Sequence, residues 1–189
     1  VYLTKCVLYF KKQFLKVKVQ YTKIIISVII LSTALFIFPE LYGDGYHAIK
    51  SIIFSSKENL LTLPFGITLL GILLLKPIVT SATLASGGDG GVFAPSLFMG
   101  AFLGLTLSIL LNTFFDTNLI PLNFIIIGMA ASLSASIHAP FTALFLVCGI
   151  INDYTLFFPM LVICLVSKYT AKMIYPFTVY SFNPSLQKL

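Results

Sequence analysis

The apolar stretches of this chain are long enough to lie in a membrane, but glycine and proline interrupt most of them. The first clear run covers residues 24–38 and ends at Pro39, and a second stretch, residues 60–85, contains Lys76 and Pro77. Interrupted helices at membrane depth are tolerated only where protein buries them or where they line a cavity. In transporters such segments point to the binding site. The pattern predicts an all-α, polytopic membrane protein with short, broken and tilted helices.

The composition supports the membrane class. The 189 residues are 58% hydrophobic and 10% charged, and the mean hydropathy is +1.01. A water-soluble domain does not carry so much apolar surface. The three cysteines and two histidines are scattered, and no catalytic dyad or group of metal ligands stands out. We therefore expect no enzyme, no bound metal and no cofactor.

The lysines indicate how the chain is oriented. Six of them precede the first long apolar run: Lys5, Lys11, Lys12, Lys16, Lys18 and Lys23. Basic segments stay on the cytoplasmic side of a membrane, and a segment that lies on anionic lipid is found on the same side. Residues 1–23 are thus predicted to end one helix and form a cytoplasmic link, with membrane helices over 24–189. The net charge of +6 is interpreted as orientation, and no nucleic-acid partner is expected.

Gly and Pro also predict where the later elements begin and end. A short helix is expected to about Phe54, and residues 60–85 are expected to be broken at Pro64, Gly66, Gly71 and Lys76–Pro77. An uncharged span follows from Val92 to Leu111, and a run of small residues after Pro121 stops at His138–Pro140. The last expected features are an exposed turn at Asn152–Asp153 and a helix over 154–167 with Pro159 inside. His138 is expected to make a hydrogen bond at its helix junction rather than to carry protons.

The stretch SGGDGGVFAP, residues 86–95, carries the strongest chemical signal. Glycine lets a ligand approach the backbone closely, and proline is tolerated in the first turn of a helix. A helix that starts near Val92 with Pro95 in its first turn would direct free N–H groups and a positive dipole end toward the glycines. Such an end attracts an anion without a formal charge, and neutral donors allow a permeating ion to leave again.

The same stretch has two other possible interpretations. A Gly-rich turn that binds nothing has the same composition. A phosphate-binding loop is excluded because it needs Gly-Lys-Ser or Gly-Lys-Thr, and no lysine lies between Lys76 and Lys168. Asp89 would repel an anion, so we expect it to cap the helix or to face solvent or a lysine.

The same stretch resembles a known family. GGVFAP followed by SLFMGAFLG is similar to the Gly-x-Phe-x-Pro signature of the CLC chloride channel and chloride/proton antiporter family. FPELYGDGYHAI, the long segment from GMAASLSASIHAP to NDYTLFFPML, and VYS near the end resemble further parts of that family in the same order. Together they cover nearly the whole chain and match the second of the family's two inverted halves. The resemblance implies that residues 1–189 form the C-terminal half of a CLC-type transmembrane domain.

The resemblance also implies site residues. Gly91, Val92, Phe93, Ala94 and Pro95 match the signature. In the family, the N–H groups at the positions of Val92 and Phe93 bind the central chloride, and those at Phe93 and Ala94 face the outer site.

The family's pore tyrosine donates its hydroxyl to the central chloride. Tyr180 in VYS is the candidate, and Tyr175 is a nearby alternative. A tyrosine hydroxyl is a neutral donor of one hydrogen bond. An interfacial anchor is the other interpretation of Tyr180.

The resemblance implies chloride transport, as an anion channel or a chloride/proton antiporter. The Gly-Ser-Gly-x-Pro and Gly-Lys/Arg-Glu-Gly-Pro motifs of the family's first half are absent here. We therefore expect that the chain as given does not conduct alone.

The chain is an incomplete form of the fold, and its expected partners are chloride, an N-terminal half of the same fold, the lipid bilayer and a second copy of the protein. In the family, helices similar to residues 139–151 and 154–171 contribute to the subunit interface. The expected location is the bacterial inner membrane. Two other functions stay open: a different secondary transporter with broken helices, and a non-conducting fragment that needs a partner half.

Overall fold

The computed structural model describes residues 1–41, 63–88 and 90–181, without the side chains of residues 40 and 63–70. The regular elements of this part of the chain are all helical. They are α1 (Tyr2–Leu15), α2 (Gln20–Ile37), a short 3-10 helix (Pro39–Leu41), α3 (Leu63–Ala85), α4 (Phe93–Phe115), α5 (Pro121–Ile137), α6 (Pro140–Ile151) and α7 (Phe157–Ile174). The predicted all-α class is confirmed. The short helix expected near Phe54, and Asp89, lie outside the described residues.

Three of these helices are long and apolar enough to cross a membrane, namely α2, α4 and α7. Residues 71–85 of α3, together with α5 and α6, are apolar but shorter. About 20 apolar residues cross the hydrocarbon core without tilt. The mixture of long and short apolar helices agrees with the predicted architecture.

The N-terminal segment is a helix followed by a short link. α1 ends at Leu15 and α2 begins at Gln20, so the link covers residues 16–19. Val7 and Leu8 of α1 are buried, and the Tyr2 hydroxyl donates to the Leu74 carbonyl of α3 at 3.1 Å. The expected end of one helix before a link is therefore present. The cytoplasmic side of residues 1–23 stays a prediction.

The breaks expected within residues 60–85 are wrong. α3 continues through Gly71 and Pro77 without a break, because neighbouring elements support it: Pro77 is fully buried. Membrane helices tolerate an internal proline where surrounding protein compensates for the lost backbone bond. The helix expected to contain Pro159 is present as α7, which begins at Phe157. Pro159 lies in its first turn, where a missing N–H is not needed.

Glycines bring α4 and α5 into backbone contact. A Cβ on Gly100 would overlap the Gly128 carbonyl, and a Cβ on Gly104 would overlap the Phe124 carbonyl. Small residues that let helix backbones approach closely are the usual basis of helix packing in lipid. This contact fixes the position of α4, whose first turn carries the candidate site.

The rest of the core forms around that helix pair. Phe98 and Phe102 of α4 are buried, with ring centroids 4.4 Å apart. The Ser134 hydroxyl of α5 donates to the Cys164 carbonyl of α7 at 2.6 Å. Interhelical hydrogen bonds of this kind support packing where lipid offers no hydrophobic driving force between helices.

We predict that Gly104→Ala lowers the stability of the protein in detergent, by roughly 1–3 kcal/mol, because the added methyl group forces α4 and α5 apart. Gly149→Ala in α6 is the matched control, since a Cβ there has no neighbour within 4 Å. Thermal unfolding followed by circular dichroism measures both variants. Equal melting temperatures for the two variants would contradict the proposed backbone contact.

Candidate functional site

The first two glycines of the stretch end α3. Gly87 has φ +92, a backbone conformation that favours glycine. The Gly88 N–H donates to the Thr83 carbonyl at 3.0 Å, and a Cβ on Gly88 would lie 2.9 Å from the Thr83 Cγ2 atom. A glycine that closes a helix with bonds to its last carbonyls is a common C-cap. These two residues therefore have a structural role, as the Gly-rich-turn interpretation expects.

The next two glycines have no comparable packing role. A Cβ on Gly90 would lie 3.5 Å from the Leu84 Cδ2 atom, and one on Gly91 would lie 3.9 Å from the Phe93 nitrogen. Both distances are ordinary van der Waals contacts, and both glycines are exposed. Within the described part of the chain, packing does not require glycine at either position. Access of a ligand to the backbone remains a physical reason for both.

The N-terminus of α4 has N–H groups that the helix itself cannot use. The helix begins at Phe93, and Val92, the N-cap residue, makes no side-chain capping bond. The Ser96 N–H donates to the Val92 carbonyl at 3.1 Å. The N–H groups before Ser96 have no acceptor in the helix, and Pro95 has none to donate. The predicted helix start near Val92, with Pro95 in the first turn, is confirmed.

The side chains around this terminus point in different directions. Val92 is buried in a small cluster with Leu3, Val7, Met99 and Val179. Phe93, in contrast, is 36% exposed.

Ala94 and Pro95 line a cleft of about 390 Å³ together with Gly90, Gly91 and residues of α2 and α3. Within one helical turn, the side chain of Val92 is thus buried, that of Phe93 is exposed and that of Ala94 lines a cleft. Its N–H groups belong to the end of a helix dipole, which favours an anion.

The C-terminal segment lies beside the same helix end. The Val179 N–H donates to the Ser136 carbonyl at 3.4 Å, and the Val179 side chain shares the cluster of Val92. Tyr180, the next residue, is 62% exposed. The fold therefore brings the segment of the predicted pore tyrosine to the signature, although its role stays a prediction.

The alternative tyrosine has other contacts. Tyr175 lies directly after α7, and its ring centroid is 5.4 Å from that of Phe177. The Lys5 ammonium lies 5.5 Å from the centre of the Tyr175 ring. These contacts engage the Tyr175 ring with α1 and favour Tyr180 as the candidate donor.

The remaining polar candidates lie at helix ends. His138 ends α5 in the left-handed conformation with φ +56, directly at the expected junction with α6. Asn152 ends α6 in the same conformation, and the exposed Asp153 accepts a hydrogen bond from the Thr155 N–H at 2.8 Å. The expected exposed turn is confirmed, and the hydrogen bond expected for His138 stays a prediction.

Sequence reasoning overlooked one residue of the cleft. Lys76 lines it together with Gly91 and Ala94, and its side chain is only 7% exposed. The sequence analysis used Lys76 only to predict a helix break at Lys76–Pro77. The signal that identifies it is a charged residue in the middle of an apolar helix, which is costly in a membrane and usually functional.

The fold and this helix end define an α-helical membrane protein with a helix N-terminus that Val92 does not cap through its side chain and that is suited to an anion. The family model described as voltage gated chloride channel matches residues 1–172. The chain therefore belongs to the voltage-gated chloride channel (CLC) family, and the family resemblance of the sequence is confirmed.

Curated relatives carry the same family name. The chain is 29% identical over 143 residues to proteins named voltage-gated ClC-type chloride channel ClcB from Escherichia coli strains SMS-3-5 / SECEC and O17:K52:H18 (UMN026 / ExPEC). The ClcB of strain K12 / DH10B has the same identity over the same length. Each alignment covers 75% of this chain and 32% of the relative. The chain thus spans about a third of the length of these relatives.

We predict that Gly87→Ala and Gly91→Ala differ in stability. The first places a side chain at positive φ, which costs roughly 1–2 kcal/mol, and the second has room for its methyl group. Melting temperatures in detergent should fall for Gly87→Ala and stay near the unmodified value for Gly91→Ala. A large loss of stability in Gly91→Ala would show that this glycine has a packing role.

Proposed function

We propose that the complete protein transports chloride across a membrane, as an anion channel or as a chloride/proton antiporter. The observation that carries the proposal is the N-terminus of α4, where Val92 provides no side-chain cap and Gly91 leaves space in front of the Phe93 nitrogen. Family membership and the names of the relatives support chloride as the anion.

The N–H groups of Val92, Phe93 and Ala94 are the proposed chloride donors. They replace part of the water shell of the ion, and the dipole of α4 adds a partial positive charge. Because these donors are neutral, the ion is bound weakly enough to leave, as conduction requires. Gly91 and Pro95 shape this end of the helix, and no cofactor takes part.

The Tyr180 hydroxyl is proposed as a further donor from the opposite side of the ion. Its segment is held beside α4 by the bond between the Val179 N–H and the Ser136 carbonyl. The exposure of Phe93 and Tyr180 fits a pore whose other wall comes from an N-terminal half of the same fold. On this proposal, the 189 residues alone bind chloride poorly and do not conduct.

We also propose that the complete protein is a homodimer in the bacterial inner membrane, with residues 1–23 on the cytoplasmic side. Large apolar side chains are exposed along α6 and α7, including Phe141, Phe145, Phe158 and Val162. A second copy or lipid covers such a surface in a membrane. Counting subunits by single-molecule photobleaching tests the dimer, and a single bleaching step per particle would exclude it.

The test of the site is a pair of tyrosine variants in the longest reading frame that contains this chain. Tyr180→Phe removes one neutral hydrogen bond and should weaken chloride binding roughly two- to tenfold. Tyr175→Phe is the control, because that ring contacts Lys5 and Phe177. Isothermal titration calorimetry with chloride in detergent measures both affinities.

The outcomes separate the alternatives. Unchanged binding in Tyr180→Phe would exclude this residue as the donor. Chloride and gluconate efflux from proteoliposomes distinguishes a chloride pathway from a transporter of organic anions. Absence of chloride binding and of chloride efflux in the unmodified protein would refute the proposed function.

A further inference from the structure

Two serines join α5 and α7 by reciprocal hydrogen bonds. The Ser134 hydroxyl of α5 donates to the Cys164 carbonyl of α7 at 2.6 Å. The Ser167 hydroxyl of α7 donates to the Ala131 carbonyl of α5 at 2.7 Å. A helical carbonyl can accept such a bond in addition to its backbone bond, because its oxygen has two lone pairs. The later residue of α5 pairs with the earlier residue of α7, so the two helices run antiparallel.

These bonds run between helices, whereas a helical serine or threonine commonly donates to a carbonyl of its own helix. Nearby residues follow the common pattern: the Ser136 hydroxyl donates to the Ser132 carbonyl, and the Thr170 hydroxyl donates to the Val166 carbonyl. A shift of α7 by one residue would move it about 1.5 Å along α5, and both interhelical bonds would be strained or lost. The pair of bonds therefore fixes the register of α7 against α5.

The register of α7 decides where the C-terminal segment begins. From Ser167, α7 continues to Ile174, which is about 10 Å farther along the helix axis. The Tyr175 N–H then donates to the Ala171 carbonyl at 2.8 Å and closes the helix. The start of the segment is thus carried rigidly on the helix that the two serines hold.

A weaker backbone contact holds the other end of that segment. The Val179 N–H donates to the Ser136 carbonyl at 3.4 Å, which is longer than most hydrogen bonds of this type. The Val179 side chain is buried in the cluster that contains Val92, the residue before α4. Because one long bond constrains the segment only loosely, its position at the signature also depends on the placement of α7.

A local turn makes Tyr180 move together with Val179. The Thr178 N–H donates to the Ser181 hydroxyl at 2.9 Å, and the Ser181 N–H donates to the Thr178 carbonyl at 3.1 Å. Side-chain bonds of this kind close a turn within a few residues. A displacement of α7 would therefore carry this turn, and with it Tyr180, away from the end of α4.

We propose that Ser134 and Ser167 position Tyr180 at the candidate anion site by fixing the register of α7 against α5. They are positioning residues, and neither contacts the ion. The inference rests on the proposed function, in which the Tyr180 hydroxyl donates to the chloride. It makes the affinity of the site depend on a helix contact within the protein.

The test removes each serine hydroxyl, alone and together with that of Tyr180, in the longest reading frame that contains this chain. Ser134→Ala and Ser167→Ala each delete one interhelical bond. Thr170→Val is the matched control, because the exposed Thr170 hydroxyl donates to a carbonyl of its own helix. Isothermal titration calorimetry with chloride measures the affinities, and thermal unfolding checks that each variant is folded.

We expect each serine variant to weaken chloride binding by up to the loss that Tyr180→Phe causes, roughly two- to tenfold. In the Tyr180→Phe background, the same serine substitutions should cause no further loss, since residues that act through one another are not additive. A general loss of stability would not depend on the background in this way. Thr170→Val should bind chloride as the unmodified protein does.

Equal losses with and without the Tyr180 hydroxyl would overturn the inference, because the serines would then act by another route. Unchanged affinity in folded serine variants would overturn it as well, and if Ser134→Ala fails to fold, the half-buried Ser167 decides through Ser167→Ala. If the unmodified protein binds chloride and Tyr180→Phe binds it equally well, the inference fails while chloride transport stands. If the unmodified protein binds no chloride, the proposed function itself fails.

Discussion

The backbone contact between α4 and α5 is the constraint on which the site depends. Gly100 and Gly104 let α4 lie directly against Gly128 and Phe124 of α5. α4 carries the signature at its first turn, and α5 ends at the junction where the Ser136 carbonyl accepts the Val179 N–H. A wider helix separation would move the helix end away from the segment of Tyr180. Small residues therefore position a site in which they take no chemical part.

The proposed site combines neutral donors with a cleft that a buried lysine lines. Backbone N–H groups at the end of α4 offer hydrogen bonds that are easily exchanged for water. Among its contacts, the Lys76 ammonium donates to the Leu41 carbonyl and lies over the Phe98 ring. The same residue links the 3-10 helix to α4. One side chain thus joins two elements of the cleft wall.

Local sequence patterns predicted much of the fold. The membrane class, the start of α4 near Val92 and the junction at His138 follow from hydropathy and from Gly and Pro, since these residues determine which backbone bonds can form locally. The same logic was wrong at Pro77, where α3 continues. The effect of a proline there depends on the packing of neighbouring helices, which no local pattern records.

The sequence by itself determined that this is a membrane protein with a helix that starts near Val92 in GGVFAP, because hydropathy and backbone chemistry are properties of short segments. Only the tertiary structure decided which glycines close α3 and which are open, that Val179 lies against Val92, and that the buried Lys76 lines the same cleft as Gly91 and Ala94. Those facts arise from contacts between helices far apart in the chain, where packing rather than local propensity selects the neighbours.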